Sequence, residues 1–466
     1  MTDPTHSTIA IVGAGASGTL VAANLLRRST QPTRIALIER SGRVGRGVAY
    51  GTIDSHHLLN VPAGKMSAWS DDPDHFVRWL AENAPAALAG HPDPARVFVP
   101  RPLYGGYLES VLADAVAKAR PSIRLTHVTD EAIAIQPDSD GYRMTFRGGG
   151  ALSANQVVLT TGYSPPRDPP VADVSFYSSA RYIGDAWKPG ALGRVASKES
   201  VLLVGAGLTM VDIAVSLHEN GHSGSIHAVS RHGIFPLAHA PAAAHPGLLP
   251  VDATTATART LMHRLRTEVR AAAADGRDWR GVTDAQRPIT TALWKNLPLV
   301  ERQRFLRHTM PYWEVHRHRI APEVAATIDR MRQSGQLTVG AGRIRQFREH
   351  VAGVGVTIQP RHGGEETALT VGVVINCTGA SMDYRASRPL LVDSMIEHGL
   401  VRPSVLGLGL DSDGAGRLVG PTGIPTPNLY TVGVLRKGDL WETTAVPELR
   451  VQATAMSNML VGDGKT

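Results

Sequence analysis

The chain has 466 residues, a formal net charge of +7 and a single cysteine. That length predicts two or three domains with substantial cores. One thiol excludes structural disulfides and any redox-active cysteine pair within the chain. The charge carries no long run of one sign, so nucleic acid is not an expected partner; it suits polyanionic ligands instead.

The polar start, Thr2 to Ser7, leads into Ile9-Ala-Ile-Val-Gly13-Ala-Gly15-Ala-Ser17-Gly18, an apolar helix pattern and a second strand that ends at Glu39-Arg40. In a strand-turn-helix unit of this spacing, Gly13 supplies the tight turn and Gly15 lets a pyrophosphate approach the backbone. Gly18 lets the helix pack on its sheet. The pyrophosphate meets the positive helix N-terminus. An acid at the second strand end accepts hydrogen bonds from ribose hydroxyls. The stretch therefore predicts an FAD site using Gly13, Gly15, Ser17, Gly18, Glu39 and Arg40. Three glycines in the first apolar segment make it a buried strand and helix, not a signal peptide or membrane span. An intracellular, cytoplasmic location without a membrane partner is the expectation.

Leu103 to Ala119 has helical apolar spacing, and Ile123 to Arg147 alternates like strands. Gln156-Val-Val-Leu-Thr-Thr161-Gly162 is an apolar strand stopping at Thr-Gly, and Pro165 to Pro170 reads as a linker. A second fingerprint follows: Val201-Leu-Leu-Val-Gly205-Ala-Gly207-Leu-Thr209-Met210, a helix, then a strand ending at Ser230-Arg231. Glu39 and Arg231 each stand 26 positions past the first glycine of their copy. A cation there meets a 2′-phosphate, so this copy predicts NADPH, bound by Gly205, Gly207, Thr209, Met210, Ser230 and Arg231. Met210 replaces the third glycine, whose role is packing more than phosphate contact.

A helical stretch, about 255 to 335, exceeds what a minimal nucleotide domain needs. It holds three of the seven tryptophans, beside several arginines. Those residues suit either packing or the wall of an anionic or aromatic substrate site. His316 and His318 lack a completing shell, so no metal site is expected. Val373-Val-Ile-Asn-Cys377-Thr378-Gly379 is another strand ending in Thr-Gly, and Asn428 to Gly433 is a strand ending in glycine. Gly162, Thr378, Gly379 and Gly433 are placed beside the cofactors. Thr443 or Thr444 offers a helix N-cap, with Pro447 in the first turn. The fold class expected is α/β: two Rossmann-type dinucleotide-binding domains, for FAD and NADPH, with a helical insertion. Residues 1–165 and 371–466 would form the FAD domain and 170–370 the NADPH domain.

Further stretches carry a resemblance: Gly47-Val-Ala-Tyr50-Gly51, His57-Leu-Leu-Asn60-Val-Pro-Ala-Gly-Lys65-Met66-Ser, Phe98-Val-Pro-Arg101, Tyr104-Gly-Gly-Tyr-Leu108, Tyr312 to Arg319 and Gly438 to Arg450. With both fingerprints, they resemble FAD/NAD(P)-binding flavoproteins related to single-component flavin monooxygenases. Members of that family include amine-oxidising enzymes that turn aspartate into nitrosuccinate. The resemblance implies that Asn60 and Met66, followed by Asp71-Asp72-Pro73, line the flavin face, with Asn60 near C4a; a strand-end role for Asn60 stays open. It also implies that the helix after Thr443 points at the flavin pyrimidine ring, where its positive end stabilises charge on the reduced ring. One motif departs. Baeyer-Villiger and amine-type monooxygenases carry F-x-G-x-x-x-H-x-x-x-W before the second fingerprint, and in Tyr177 to Trp187 only Trp187 matches.

The expected activity is that of an NADPH-dependent FAD monooxygenase forming a C4a-hydroperoxyflavin, with molecular oxygen and a small polar, anionic or amine-bearing substrate as partners. Two alternatives stay open: an NADPH dehydrogenase that passes electrons to an acceptor without oxygen insertion, and a flavin redox sensor without turnover.

Overall fold

The computed structural model describes residues 7–247, 249 and 257–462. Most of the polar start and the first two positions of the predicted helical stretch lie outside these residues, as do the last four of the segment 371–466. The chain divides into two compact units. One comprises Met1–Ile53, Val61–Ser164 and Met382–Thr466; the other comprises Asp54–Asn60 and Pro165–Ser381.

The first unit is built on a six-stranded sheet, in the order Arg417–Val419, Pro425–Thr431, Gln156–Leu159, Ser7–Val12, Thr33–Ile38, Ile123–Val128. Ser7–Val12 lies parallel to both neighbours, with Ile9 opposite Ile35 on one side and Gln156 on the other. Its Ile-Ala-Ile-Val run is buried on both faces, which a central parallel strand demands. The helix Ala16–Arg28 follows Gly15 directly and ends with Arg27 and Arg28 in its last turn, where cations favour the helix dipole. Leu20, Leu25 and Leu26 of this helix are buried, each removal from water contributing about 2 kcal/mol. The predicted run of strands at 123–147 divides between two sheets. Ile123–Val128 is the edge of the parallel sheet, whereas Ala132–Asp138 and Gly141–Phe146 join Ala151–Ala154 in an antiparallel meander. Ile135, Met144 and Met395 close the core between these layers.

The second unit has a seven-stranded sheet, in the order Thr367–Val371, Gly353–Pro360, Leu337–His350, Ile226–Ser230, Val201–Val204, Val373–Asn376, Tyr182–Ile183. Val201–Val204 is wholly buried between two parallel partners. Because Val373–Asn376 pairs with it residue for residue, this strand belongs to the second unit. The start of the C-terminal segment thus lies at Met382, not near 371. Asp54–Asn60, expected within the FAD domain, also falls in the second unit. The helical stretch is broken into short helices at Ala258–Ala274, Trp279–Ala285, Thr290–Asn296, Leu299–Arg304, Met310–Arg317 and Pro322–Gln333. Pro288, Pro298, Pro311 and Pro322 sit at or beside these breaks, because proline fits a first turn and not an interior one. A π turn at Phe305–Thr309 joins two of the helices.

Candidate functional site

In the first unit the strand Ser7–Val12 delivers Gly13 at φ +101, and a side chain there would meet the carbonyl oxygen of Thr160 at 2.6 Å. A side chain on Gly18 would strike the Gly13 carbonyl at 1.9 Å. Gly15 faces Gly47, and even a Cβ on Gly47 would come within 3.3 Å of the Gly15 Cα, so two stretches of bare backbone run side by side. The helix beyond has no acidic residue in its first turn, leaving its positive end for an anion. Glu39 turns back to this loop: one carboxylate oxygen accepts from the Ala14 amide at 2.9 Å, the other from the Ser41 amide and hydroxyl. A carboxylate has about four acceptor positions and three are taken here, so capacity remains on the Ala14-facing oxygen for a ribose hydroxyl. Arg40 points away, exposed and 3.8 Å from Glu131.

Ser17, Gly433 and Thr443 come together in the same unit. Gly433 adopts φ +90, and a Cβ there would lie 2.7 Å from the Ser17 hydroxyl. Its amide donates to Gln452 Oε1 at 3.1 Å, Gln452 donates to Thr443 Oγ1 at 2.8 Å, and Thr443 donates to the Gly433 carbonyl at 2.8 Å. This ring of three bonds corrects the expected capping role. The helix begins at Val446, after both threonines, and the Thr443 hydroxyl is committed to Gly433 instead.

Met66 is buried, and its neighbours are held by residues from the other resemblance stretches. The Ala68 amide donates to the Tyr107 hydroxyl at 3.0 Å, and Arg450 donates to the Ser67 carbonyl at 3.2 Å. Asp71 and Asp72 pair with Arg27 and Arg78. The Tyr104 hydroxyl and Arg450 Nε are buried without hydrogen-bond partners in the protein. Burial holds the Tyr104 hydroxyl protonated, well above its ordinary range. Two orphaned donors, a side-chain-free loop and a free helix end fit a large, acceptor-rich anionic cofactor such as FAD.

The second unit repeats the turn. Gly205 adopts φ +114, and a Cβ there would lie 2.4 Å from the Cys377 carbonyl oxygen. Gly207, by contrast, faces open space ahead of the helix Leu208–Glu219, whose first turn also lacks an acid. Thr209 is half-buried in that turn. Met210, at the position of the third glycine, is wholly buried. Gly162 and Gly379 close the two Thr-Gly strand ends with φ +73 and +87, each facing open space. The Thr378 hydroxyl donates to Asn376 Oδ1 at 2.7 Å, and the buried Asn376 amide donates to the Arg167 carbonyl. Ser230 accepts from the Gly233 amide at 3.0 Å, turning the chain so that Arg231 is exposed at the strand end. These features fit a dinucleotide carrying a further phosphate.

Asn60 and Met66 fall in different units. The Asn60 carbonyl pairs with His239 Nε2 at 3.0 Å. Upstream, His57 Nε2 meets the Ser216 hydroxyl at 2.7 Å, and Ser216 donates to Asp54, tying this short segment to the helix after the second fingerprint. Burial pushes the Asp54 carboxyl up, but bonds from Ser216 and His56 outweigh it and hold it below its ordinary range. Trp187, the sole match to the longer monooxygenase motif, lies edge-on to His57 at 5.5 Å. Sequence reading missed this anchor because Asp54 and Ser216 lie far apart in the chain. In the insert, His316 bonds to the Tyr312 carbonyl and His318 to Glu314. No group of three or more metal-ligating side chains occurs among the described residues, and no helix there is long and apolar enough to cross a membrane.

Residues 10–164 match a protein-family model described as FAD-NAD(P)-binding. No curated protein matches the chain in sequence. Among solved structures, ornithine N-hydroxylase from Kutzneria sp. 744 is similar at a TM-score of 0.66 and 18% identity, over 99% of this chain and all of that one. L-lysine 6-monooxygenase from Pseudomonas syringae gives 0.66 and 15%, over 98% and 100%. The bacillithiol disulfide reductase of Staphylococcus aureus gives 0.58 and 11%, over 99% and 100%. With two glycine turns, each backed by its own Thr-Gly or Cys-Thr-Gly strand end, the chain has the fold of the two-dinucleotide-domain flavoproteins, and its residues 10–164 match the FAD-NAD(P)-binding family.

Proposed function

We propose that the chain is an NADPH-dependent FAD monooxygenase that oxygenates a small, polar, amine-bearing substrate. The observation that carries this reading is the contrast between two similar turns, one answered by the carboxylate of Glu39 and the other by the exposed cation of Arg231. The ornithine hydroxylase of the same fold is described with reduced FAD, NADP⁺ and ornithine, which supports the choice of an amine substrate. FAD supplies the hydride acceptance and oxygen chemistry that side chains lack. Around it, Glu39 would hold the adenosine ribose, and the backbone at Gly13 and Gly15 would hold the pyrophosphate. Gly162, Gly433 and the Thr443 region would border the cofactor in the first unit. In the second, Gly205, Gly207 and Thr209 would hold the nicotinamide dinucleotide beside Thr378 and Gly379, with Ser230 and Arg231 on its 2′-phosphate. Asn60 and Met66 are assigned to the reacting face, and the buried lone thiol suits the reducing cytoplasm.

A second reading, electron transfer to an external acceptor without oxygen insertion, draws on the fold shared with the bacillithiol disulfide reductase. Cys377 is buried and alone, so the acceptor would have to come from outside the chain. One assay separates the two: NADPH oxidation in air with a panel of small amines and, separately, a quinone. Oxygenated amine formed in step with NADPH supports the monooxygenase. Quinone reduction with no oxygenated product selects the second reading, and no NADPH oxidation at all overturns both.

A further inference from the structure

Beside Arg231 the fold places a second arginine from a distant part of the chain. The strand Ile226–Ser230 pairs in parallel with Leu337–His350, setting Ser230 opposite Ala341. That long strand pairs antiparallel with Gly353–Pro360, setting Gly342 opposite Pro360. Arg361 continues the ladder by donating its amide to the Ala341 carbonyl at 3.1 Å. Two sheet neighbours therefore bring Ser230-Arg231 and Arg361 to the same rung.

The side chains complete the arrangement. Arg361 Nη1 donates to the Arg231 carbonyl at 2.9 Å and to Nδ1 of His232. Gly233, at φ +63, lets the chain fold over Ala341; a Cβ there would lie 2.9 Å from that of Ala341. Tyr312 of the insert stands edge-on to His232 at 5.6 Å between ring centroids. Burial, then the charges of Arg361 and Arg231, hold the His232 imidazole below its ordinary range. Among the described residues neither arginine has a carboxylate within ion-pair distance. Two guanidinium groups and an imidazole gathered without an acid are electrostatically incomplete, and a dianion completes them.

Resting on the NADPH reading above, we propose that Arg361 is a specificity-determining residue for the nicotinamide cofactor, gripping the ribose 2′-phosphate together with Arg231 and His232. Arg231 is the cation legible at the strand end, and Arg361 presents a second guanidinium from the hairpin. A planar guanidinium matches phosphate oxygens in pairs, so two of them around one phosphate discriminate strongly against a plain hydroxyl. Arg361 also braces the Arg231 backbone, and the test must separate bracing from charge.

The test is calorimetric titration of the full chain with NADP⁺ and with NAD⁺, for the unaltered protein, Arg361→Gln and Arg361→Lys. The glutamine variant removes the charge and the lysine variant keeps it, while the NAD⁺ titration reads any loss of bracing at the Arg231 carbonyl, which would weaken both dinucleotides alike. Expected is a loss of about tenfold or more in NADP⁺ affinity for Arg361→Gln, with NAD⁺ affinity within about twofold and partial recovery in Arg361→Lys. Unchanged NADP⁺ affinity, or equal weakening of both dinucleotides, overturns the assignment of Arg361. If the unaltered protein binds neither dinucleotide, the NADPH reading falls and takes this assignment with it. Should Arg361→Gln not fold, competition on the unaltered protein decides: 2′,5′-ADP must displace NADP⁺ far better than 5′-ADP does, and equal displacement overturns the phosphate site.

Discussion

Thr160 donates its hydroxyl to the carbonyl of Gly13 at 2.6 Å, while its own carbonyl fills the space a Gly13 side chain would need. The strand that ends in Thr-Gly is thus bound to the back of the glycine turn, and Cys377 stands in the same place behind Gly205. In each unit the turn is shaped from behind by the neighbouring strand, and its front is left bare for a cofactor.

That arrangement separates the two glycines of the second turn by experiment. Gly205→Ala introduces a Cβ 2.4 Å from the Cys377 carbonyl at a positive φ, and should destabilise the protein by about 2 kcal/mol or more. Gly207→Ala projects into open space from an extended backbone and should cost about 1 kcal/mol or less. It should nevertheless weaken dinucleotide binding, because the methyl occupies the approach to the helix end. Denaturant melts paired with NADP⁺ titration check both, and equal destabilisation would contradict the difference in packing.

Glu39→Ala should lower the FAD content of purified protein, since the carboxylate held by Ala14 is then lost to the ribose. Arg231→Ala should weaken NADPH much more than NADH, because only the phosphate loses a partner. Flavin content by absorbance and the two dinucleotide affinities are the measurements. Full flavin retention in the first variant, or equal weakening in the second, would count against the respective assignment.

Both turns were legible in the sequence because everything that defines them is local. Strand, glycines, helix and the charge at the next strand end follow one another within a few dozen residues. What could not be read depends on pairing between distant segments. Arg361 reaches Arg231 only through the register of two strand pairs, and nothing near Arg361 announces that register. Asp54–Asn60 looks continuous with the FAD motifs, yet Ser216 and His239 bind it within the second unit. Thr443 has the composition of a cap, but the chain spends two more residues before the helix, and its hydroxyl finds Gly433 first.

The Gly433 ring makes its own prediction. Thr443→Val keeps the shape and removes both the donor to Gly433 and the acceptor for Gln452. Leaving those buried groups unmatched should cost about 1–3 kcal/mol. Because Gly433 sits against Ser17 of the first fingerprint, FAD retention should fall as well. Thr443→Ser, which restores the hydroxyl, should recover most of both losses in thermal melts and flavin content.

Cys377 offers a readout of the second unit, since it is the single thiol in the chain. It is 2% exposed, and burial followed by the nearby Asp212 carboxylate raises its thiol well above the ordinary range. The reactive species is the thiolate, so alkylation of folded protein near pH 8 should be at least about a hundredfold slower than in denaturant. The sign of the linkage follows. Below the unfolded thiol's value of about 8.5 both states keep the proton, and the full stability is present. As pH rises above it, the unfolded chain ionises while the folded thiol does not, so this contribution to stability is lost progressively. Cys377→Ala should therefore flatten the alkaline limb of the stability–pH curve. Rapid labelling of folded protein at neutral pH would show instead that the strand end behind Gly205 opens readily.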